Sequence, residues 1–201
     1  MGDKLRMIWT VGFVLTLAGS VFGCVAAVVG AGATTGVTVA QERSVGHAVD
    51  DTTIHAQVSS NLLQASEKLF IKVGVEVLEG RVLLTGSVPK PEDRVEAARL
   101  TWQVNGVKEV LNEIEVSDKS GLIDFAKDTW ITTQMRTKML TDSKISDINY
   151  SVETVDAVIY LMGIAQNQAE LDRVTTHARN IRGVRKVVSH VILKDDPRRK
   201  S

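Results

Sequence analysis

One cysteine, four histidines and three tryptophans are the residues of this 201-residue chain from which a site could be built. His47, His55, His177 and His190 fall in unrelated stretches and never take the spacing of a metal-binding pair, so each reads as a surface or boundary residue and no metal is expected. Serines and threonines are plentiful, yet none lies in a nucleophile-elbow pattern, and a single cysteine excludes an intrachain disulfide or a cysteine-cluster metal site. Gly86 and Gly163 end strand-like runs instead of opening a helix, which argues against a phosphate-cradling loop. The expectation is a protein that is not an enzyme and carries no cofactor. Two positions keep chemical interest: Cys24, at the end of a hydrophobic leader, and Trp130, between lysines on a predicted helix.

Lys4 and Arg6 precede an apolar run from Met7 to Ala18, followed by small residues up to Gly23, the outline of a secretory signal peptide over residues 1–23. The run closes as Val21-Phe22-Gly23-Cys24, which resembles the lipobox of bacterial lipoproteins, in which the cysteine is diacylated and becomes the mature N-terminus. Phe22 departs from that pattern, which usually has a smaller residue there. The alternative is a buried, inert cysteine in an uncleaved signal anchor. Each buried methylene contributes roughly 0.8 kcal/mol, so three acyl chains would hold the protein firmly on a bilayer. Val25 stands where retention in the inner membrane typically needs Asp, so the resemblance implies an outer-membrane address facing the periplasm. Residues 24–46, rich in Gly, Ala, Val and Thr, read as the lipidated N-terminus and a flexible tether spanning on the order of 25 Å.

Basic and acidic side chains both number 24, so net charge gives no reason to expect nucleic acid. The distribution is uneven: residues 47–116 carry 7 basic and 11 acidic groups, a net of −4, and residues 126–194 carry 10 and 7, a net of +3. Sliding the chain by 77 residues aligns Asp51–Val116 with Asp128–Leu193 without a gap, pairing Asp51 with Asp128, Ile54 with Ile131, Glu76 with Glu153, Leu84 with Leu161 and Gly86 with Gly163. The chain is therefore a duplication, and the shared residues specify a fold while the differing ones are free to carry function.

Each copy opens with an aspartate placed as an N-cap, followed by apolar residues at helical spacing: Ile54, Val58 and Leu62, or Ile131, Met135 and Met139. Alternating runs at 71–77 and 81–86 form a hairpin through Glu79-Gly80, and 148–154 and 158–163 do so around Asp156. Pro91 begins the second helix of the first copy; Gly106 and Gly183 close the second helices, before last strands at 107–116 and 184–193. The fold class is α+β: two tandem αββαβ units, each a mixed three-stranded sheet with two helices on one face. The domains span 47–117 and 126–194, with a linker at 118–125 and a solvated basic tail at 195–201.

The hairpin glycines, the Gly-Val strand starts and the leader ending in Cys24 occur together with Asp128-Thr129-Trp130-Ile131-Thr132-Thr133, Val82-Leu83-Leu84-Thr85-Gly86 and Asn112-Glu113-Ile114. This combination resembles the BON domain family, and within it the dual-BON outer-membrane lipoproteins associated with division and envelope stress. The resemblance covers nearly the whole mature chain. It implies lipidation of Cys24, binding of anionic phospholipids through the first helix of the second domain, and a role in outer-membrane integrity.

The residues give a separate reason to consider that helix. Trp130 aligns with Thr53, so the shared fold does not require an indole there. Helical geometry places Trp130 on a face with Lys127, Thr133, Gln134, Thr137, Lys138 and Thr141, away from the core stripe of Ile131, Met135 and Met139. An indole between two amines on an acid-free face suits a headgroup layer. Packing of Trp130 against the other domain is the alternative, and packing is the expectation for Trp102. A rival reading of the whole protein is an interaction module that docks to outer-membrane assembly machinery through the acidic first domain or the interdomain groove. Lipid contact would then be incidental.

Overall fold

The computed structural model describes residues 45–117 and 122–200. The leader, Cys24, the tether up to residue 44 and the joint at 118–121 lie outside the described residues. The first domain comprises α1 (Val45–Ala65), α2 (Glu67–Lys72), β1 (Val73–Leu78), β2 (Arg81–Val88), α3 (Pro91–Trp102), β3 (Glu109–Asn112) and β4 (Glu115–Val116). The second comprises α4 (Leu122–Thr141), a 3-10 turn (Asp147–Asn149), β5 (Tyr150–Val155), β6 (Val158–Ala165), α5 (Gln168–Arg179), β7 (Lys186–Leu193) and a 3-10 turn (Pro197–Lys200).

In each domain a hairpin (β1–β2, β5–β6) is antiparallel, and a helical crossover returns the chain to run parallel to the hairpin's second strand. The inner sheet faces bury Val82, Leu84 and Val88 against Ile54, Val58 and Leu62 of α1, and Ile159 and Leu161 against Ile131, Met135 and Met139 of α4. This α+β architecture is the expected one, and the predicted helical core stripes are buried.

Several local expectations are corrected. Both first helices begin earlier than foreseen, at Val45 inside the expected tether and at Leu122 inside the expected linker. Asp51 and Asp128 are therefore mid-helix residues and cap no helix. The Asp51 carboxylate accepts from the N–H groups of Glu79 and Gly80 at 2.8 and 2.9 Å, and that of Asp128 from Asp156 and Ala157 at 2.7 and 2.8 Å. All four turn residues have positive φ, between 49° and 80°. These are two-residue hairpin loops with both central residues left-handed, the geometry that matches strand twist, and the aspartate satisfies their amides and ties the turn to the helix.

Ile71 and Lys72 belong to α2, capped by Ser66, and Ile148 and Asn149 to the 3-10 turn, so both first strands start later than predicted. The last strand of domain 1 is interrupted between Asn112 and Glu115, where Asn112 and Arg94 exchange side-chain to backbone hydrogen bonds and Ile114 drops into the core. Gly86 and Gly163 lie within strands, not at their ends. A Cβ on Gly86 would stand 2.0 Å from the Lys72 carbonyl oxygen, and φ there is +124°, so only glycine fits where the edge strand begins.

The sheets are also covered on their second faces. Leu83, Val158, Tyr160 and Met162, with Leu78, Leu111, Val155 and Val188 around them, form one apolar cluster between the domains. Leu78 and Val155, Leu83 and Tyr160, and Leu111 and Val188 are equivalent residues of the repeat. His190 Nε2 lies 2.9 Å from Glu113 Oε1, and these two also stand 77 residues apart. A residue that contacts its own counterpart sits on the symmetry axis, so the domains meet about a pseudo-two-fold, with helices outermost and two sheets back to back. The Arg81 guanidinium, almost fully buried, spans the junction by donating to Glu109 and to the His190 carbonyl. The tail takes part as well: Arg199 donates to both carboxylate oxygens of Glu79 at 2.9 Å, where a solvated end was expected.

Candidate functional site: the outer face of α4

Helix α4 runs 20 residues, and the burial of Ile131, Met135 and Met139 turns its opposite side to solvent. Trp130 is 48 % exposed, which favours the surface reading over packing between the domains. Trp102, expected to pack, is also exposed. The solvent side of α4 also carries Phe125 and Leu140, each 72 % exposed; Phe125, about 140° round the helix from Trp130, faces the interdomain groove. The predicted face missed both. Phe125 was placed in the linker, and its position on the helix follows only once the helix starts at Leu122.

Four threonines lie along this side at four-residue spacing. The hydroxyls of Thr129, Thr133, Thr137 and Thr141 each donate to the carbonyl four residues earlier at 2.8 Å. Every hydroxyl proton on this ladder is used within the helix, which lowers the cost of bringing the face into contact with an apolar phase. Gln134 and Lys138 are half-buried at the margin of the face, and Lys127 is exposed. Lys127 does not stand on an acid-free surface, because it opens into a cleft of about 490 Å3 shared with Glu115, Asp124, Asp128 and Asp156.

Arg136 is the cation that sequence reasoning overlooked. It follows Phe125 and Thr129 down one side of the helix, its side chain largely exposed, with one guanidinium N–H donating to the Val152 carbonyl at 3.2 Å. Glu153 lies 3.9 Å away. Burial holds the Glu153 carboxyl above the usual carboxylate range, the nearby Glu76 adds to this, and Arg136 opposes it. Domain 1 shares the exposed leucine, Leu63 standing where Leu140 does, but lacks the aromatic and cationic parts of this face: the repeat equivalents of Phe125, Lys127, Trp130 and Arg136 are Ala48, Asp50, Thr53 and Ser59.

Two fixtures set the orientation of α4. Asp128 ties its first half to the β5–β6 turn, as described above. Asp142, just past its end, sits 2.8 Å from His177 Nε2 and 3.4 Å from Arg173 of α5. The His177 contact, the Lys144 amide and Arg173 together keep the Asp142 carboxyl below its ordinary range. Beside the helix, a groove of about 630 Å3 runs between the domains, with Ile71, Lys72 and Gly86 on one wall and Phe125, Thr129 and Arg136 on the other. Among the described residues no cluster of side chains could hold a metal ion, and no helix is long and apolar enough to cross a membrane.

Comparison with known proteins adds lineage to this geometry. The chain is 43% identical over 147 residues to an uncharacterised protein in the gshII 5' region of Anaplasma centrale, covering 73% of this chain and 96% of that one. It is 34% identical over 168 residues to the outer membrane lipoprotein DolP of Haemophilus influenzae, covering 83% and 86%. It is 33% identical over 147 residues to a 21 kDa hemolysin of Actinobacillus pleuropneumoniae, covering 73% and 75%. The BON domain description matches twice, at residues 50–118 and 127–195, once on each half of the pseudo-symmetric body. With both halves matched and relatives aligned along most of its length, the chain belongs to the BON-domain family as a two-domain member.

Proposed function

We propose that this protein is a non-enzymatic outer-membrane lipoprotein, anchored through Cys24 and facing the periplasm, whose second BON domain binds anionic phospholipid along α4 and supports outer-membrane integrity. The observation that carries the reading is the exposure of Phe125, Trp130 and Leu140 around the solvent side of α4, beside a threonine ladder whose hydroxyls all donate within the helix. Such a face suits the boundary between headgroups and acyl chains, with aromatic rings at the interface and cations meeting phosphates. Lys127, Arg136 and Lys138 supply the cations, each worth about 1 kcal/mol near a negative surface. Outer-membrane placement is supported by the relative from Haemophilus influenzae that bears the name of an outer membrane lipoprotein.

Trp130→Glu tests the lipid reading. Flotation with vesicles containing phosphatidylglycerol should show loss of binding, while circular dichroism stays unchanged because Thr53 occupies the equivalent position in the same fold. Intact binding, or a collapsed domain, would remove Trp130 from the site. Mass spectrometry of the mature chain tests the anchor: diacylation at Cys24 is expected, and Cys24→Ala should release the protein or mislocalise its precursor. An unmodified thiol on an uncleaved leader contradicts it. The rival, docking to outer-membrane assembly machinery, would show as co-purification in detergent that survives Trp130→Glu.

A further inference from the structure

Domain 1 has an exposed apolar point of its own, at the end of α2, where the chain reads Lys68-Leu69-Phe70-Ile71-Lys72. Leu69 is buried in the core, whereas Phe70 is 43 % and Ile71 72 % exposed. The fold does not demand this. The residue equivalent to Phe70 in domain 2 is Asp147, and the corresponding segment there is a single 3-10 turn. Two adjacent large apolar side chains held in water mark a contact surface.

Position supplies the partner. Ile71 and Lys72 form one wall of the interdomain groove, and Phe125, Thr129 and Arg136 of α4 form the other, so the tip of α2 and the outer face of α4 open on the same side of the molecule. The buried interdomain cluster and the Arg81 and Arg199 contacts hold these two points on one body. Across the groove the pairing is apolar with basic on both walls: Phe70 and Ile71 lie between Lys68 and Lys72, and Phe125 stands on the side of α4 that carries Arg136. At the tip of α2 Lys68 and Lys72 outnumber Glu67, whereas the groove itself holds Asp124, Asp128, Glu153 and Asp156 against Lys72 and Arg136, so the cations that meet phosphate are those at its rims.

We propose that Phe70 and Ile71 form a second insertion point for the same phospholipid surface, so that the protein meets the membrane through both domains. This rests on the reading of α4 as lipid-facing. Domain 1, with a net charge of −4, does not hold an anionic surface alone; its apolar tip adds to attachment once α4 has docked, because the second contact is then intramolecular. Two contacts on one body also set the orientation of the protein on the bilayer, which a single helix would leave free to roll.

The test uses the full-length anchored protein in vesicles of phosphatidylethanolamine and phosphatidylglycerol, with a photoreactive phenylalanine analogue in place of Ile71, of Trp130, or of Val95 as an exposed residue of α3. Phospholipid adducts are expected at 71 and 130 and not at 95. With the probe at 130, Phe70→Ser/Ile71→Ser should lower the adduct yield about tenfold. With the probe at 71, Lys68→Glu, remote from the core, should lower the yield about fivefold or more. Adducts at 130 without any at 71 overturn this proposal and leave the α4 reading intact. Adducts at 71 without any at 130 overturn the α4 reading instead. A yield at 71 unchanged by Lys68→Glu also overturns the proposal, whether or not the double serine variant folds.

Discussion

Asp128 links α4 to the sheet through a single side chain. Its two oxygens take the amides of Asp156 and Ala157, both held at positive φ, where a residue with a Cβ costs about 1–2 kcal/mol. Asp128→Ala should leave those amides without a partner and destabilise the protein by about 2–4 kcal/mol in urea unfolding, since bonds to a charged acceptor are the stronger kind. A loss below about 0.5 kcal/mol would mean water replaces the carboxylate at no cost. The repeat alignment singled out Asp51 and Asp128, yet their task was not legible. An aspartate before an apolar helical run is the signature of an N-cap, and the bonds it makes instead reach 28 and 29 residues along the chain. Arg136 was passed over for a related reason: its place between two grooves follows from neighbours on β5 and α2, not from α4 itself.

Helix α4 divides its labour by side. Its core stripe was readable because the apolar period alone demands burial of Ile131, Met135 and Met139. The threonine side looks polar in sequence and is physically less so, because each hydroxyl is turned back onto its own helix. Replacing Thr133 and Thr137 by valine should therefore leave binding to anionic vesicles within about threefold of the parent, or strengthen it, since methyls replace hydroxyls that donate only within the helix. Flotation with Thr133→Val/Thr137→Val measures this, and a loss of tenfold or more would mean the hydroxyls bond to headgroups. The start of α4 could not be read, because Leu122 to Lys127 carries no N-cap signal sharper than Asp128, and helix ends are set by what the first turn packs against.

The two domains join through a face that the duplication made nearly self-complementary, and one feature of that junction carries a pH signature. Glu153, half-buried and near its own repeat counterpart Glu76, has its carboxyl raised above the ordinary value of 4.5, by burial first and Glu76 second. A carboxyl raised in the folded state makes folding less favourable when it is ionised. The penalty is present at neutral pH, falls as pH drops through the raised value, and is gone below the ordinary glutamate range. Glu153→Gln should thus raise the melting temperature at pH 7 and narrow the difference between pH 7 and pH 5, measured by calorimetry on both proteins. An unchanged or lowered melting temperature at pH 7 would show that Arg136 already neutralises the site. The sequence by itself determined the duplication, the order of the main αββαβ elements within each copy, the buried stripes and the difference in charge between the halves, because all of these rest on local periodicity and composition. Only the tertiary structure decided that the second faces of both sheets close on each other, that the basic tail reaches Glu79, and that the tip of α2 shares a groove with α4. Those are contacts between residues tens of positions apart, and no local pattern encodes which surface a folded face will meet. The continuous apolar run from Val158 to Met162 did carry a trace of it, since a strand with one wet face would alternate.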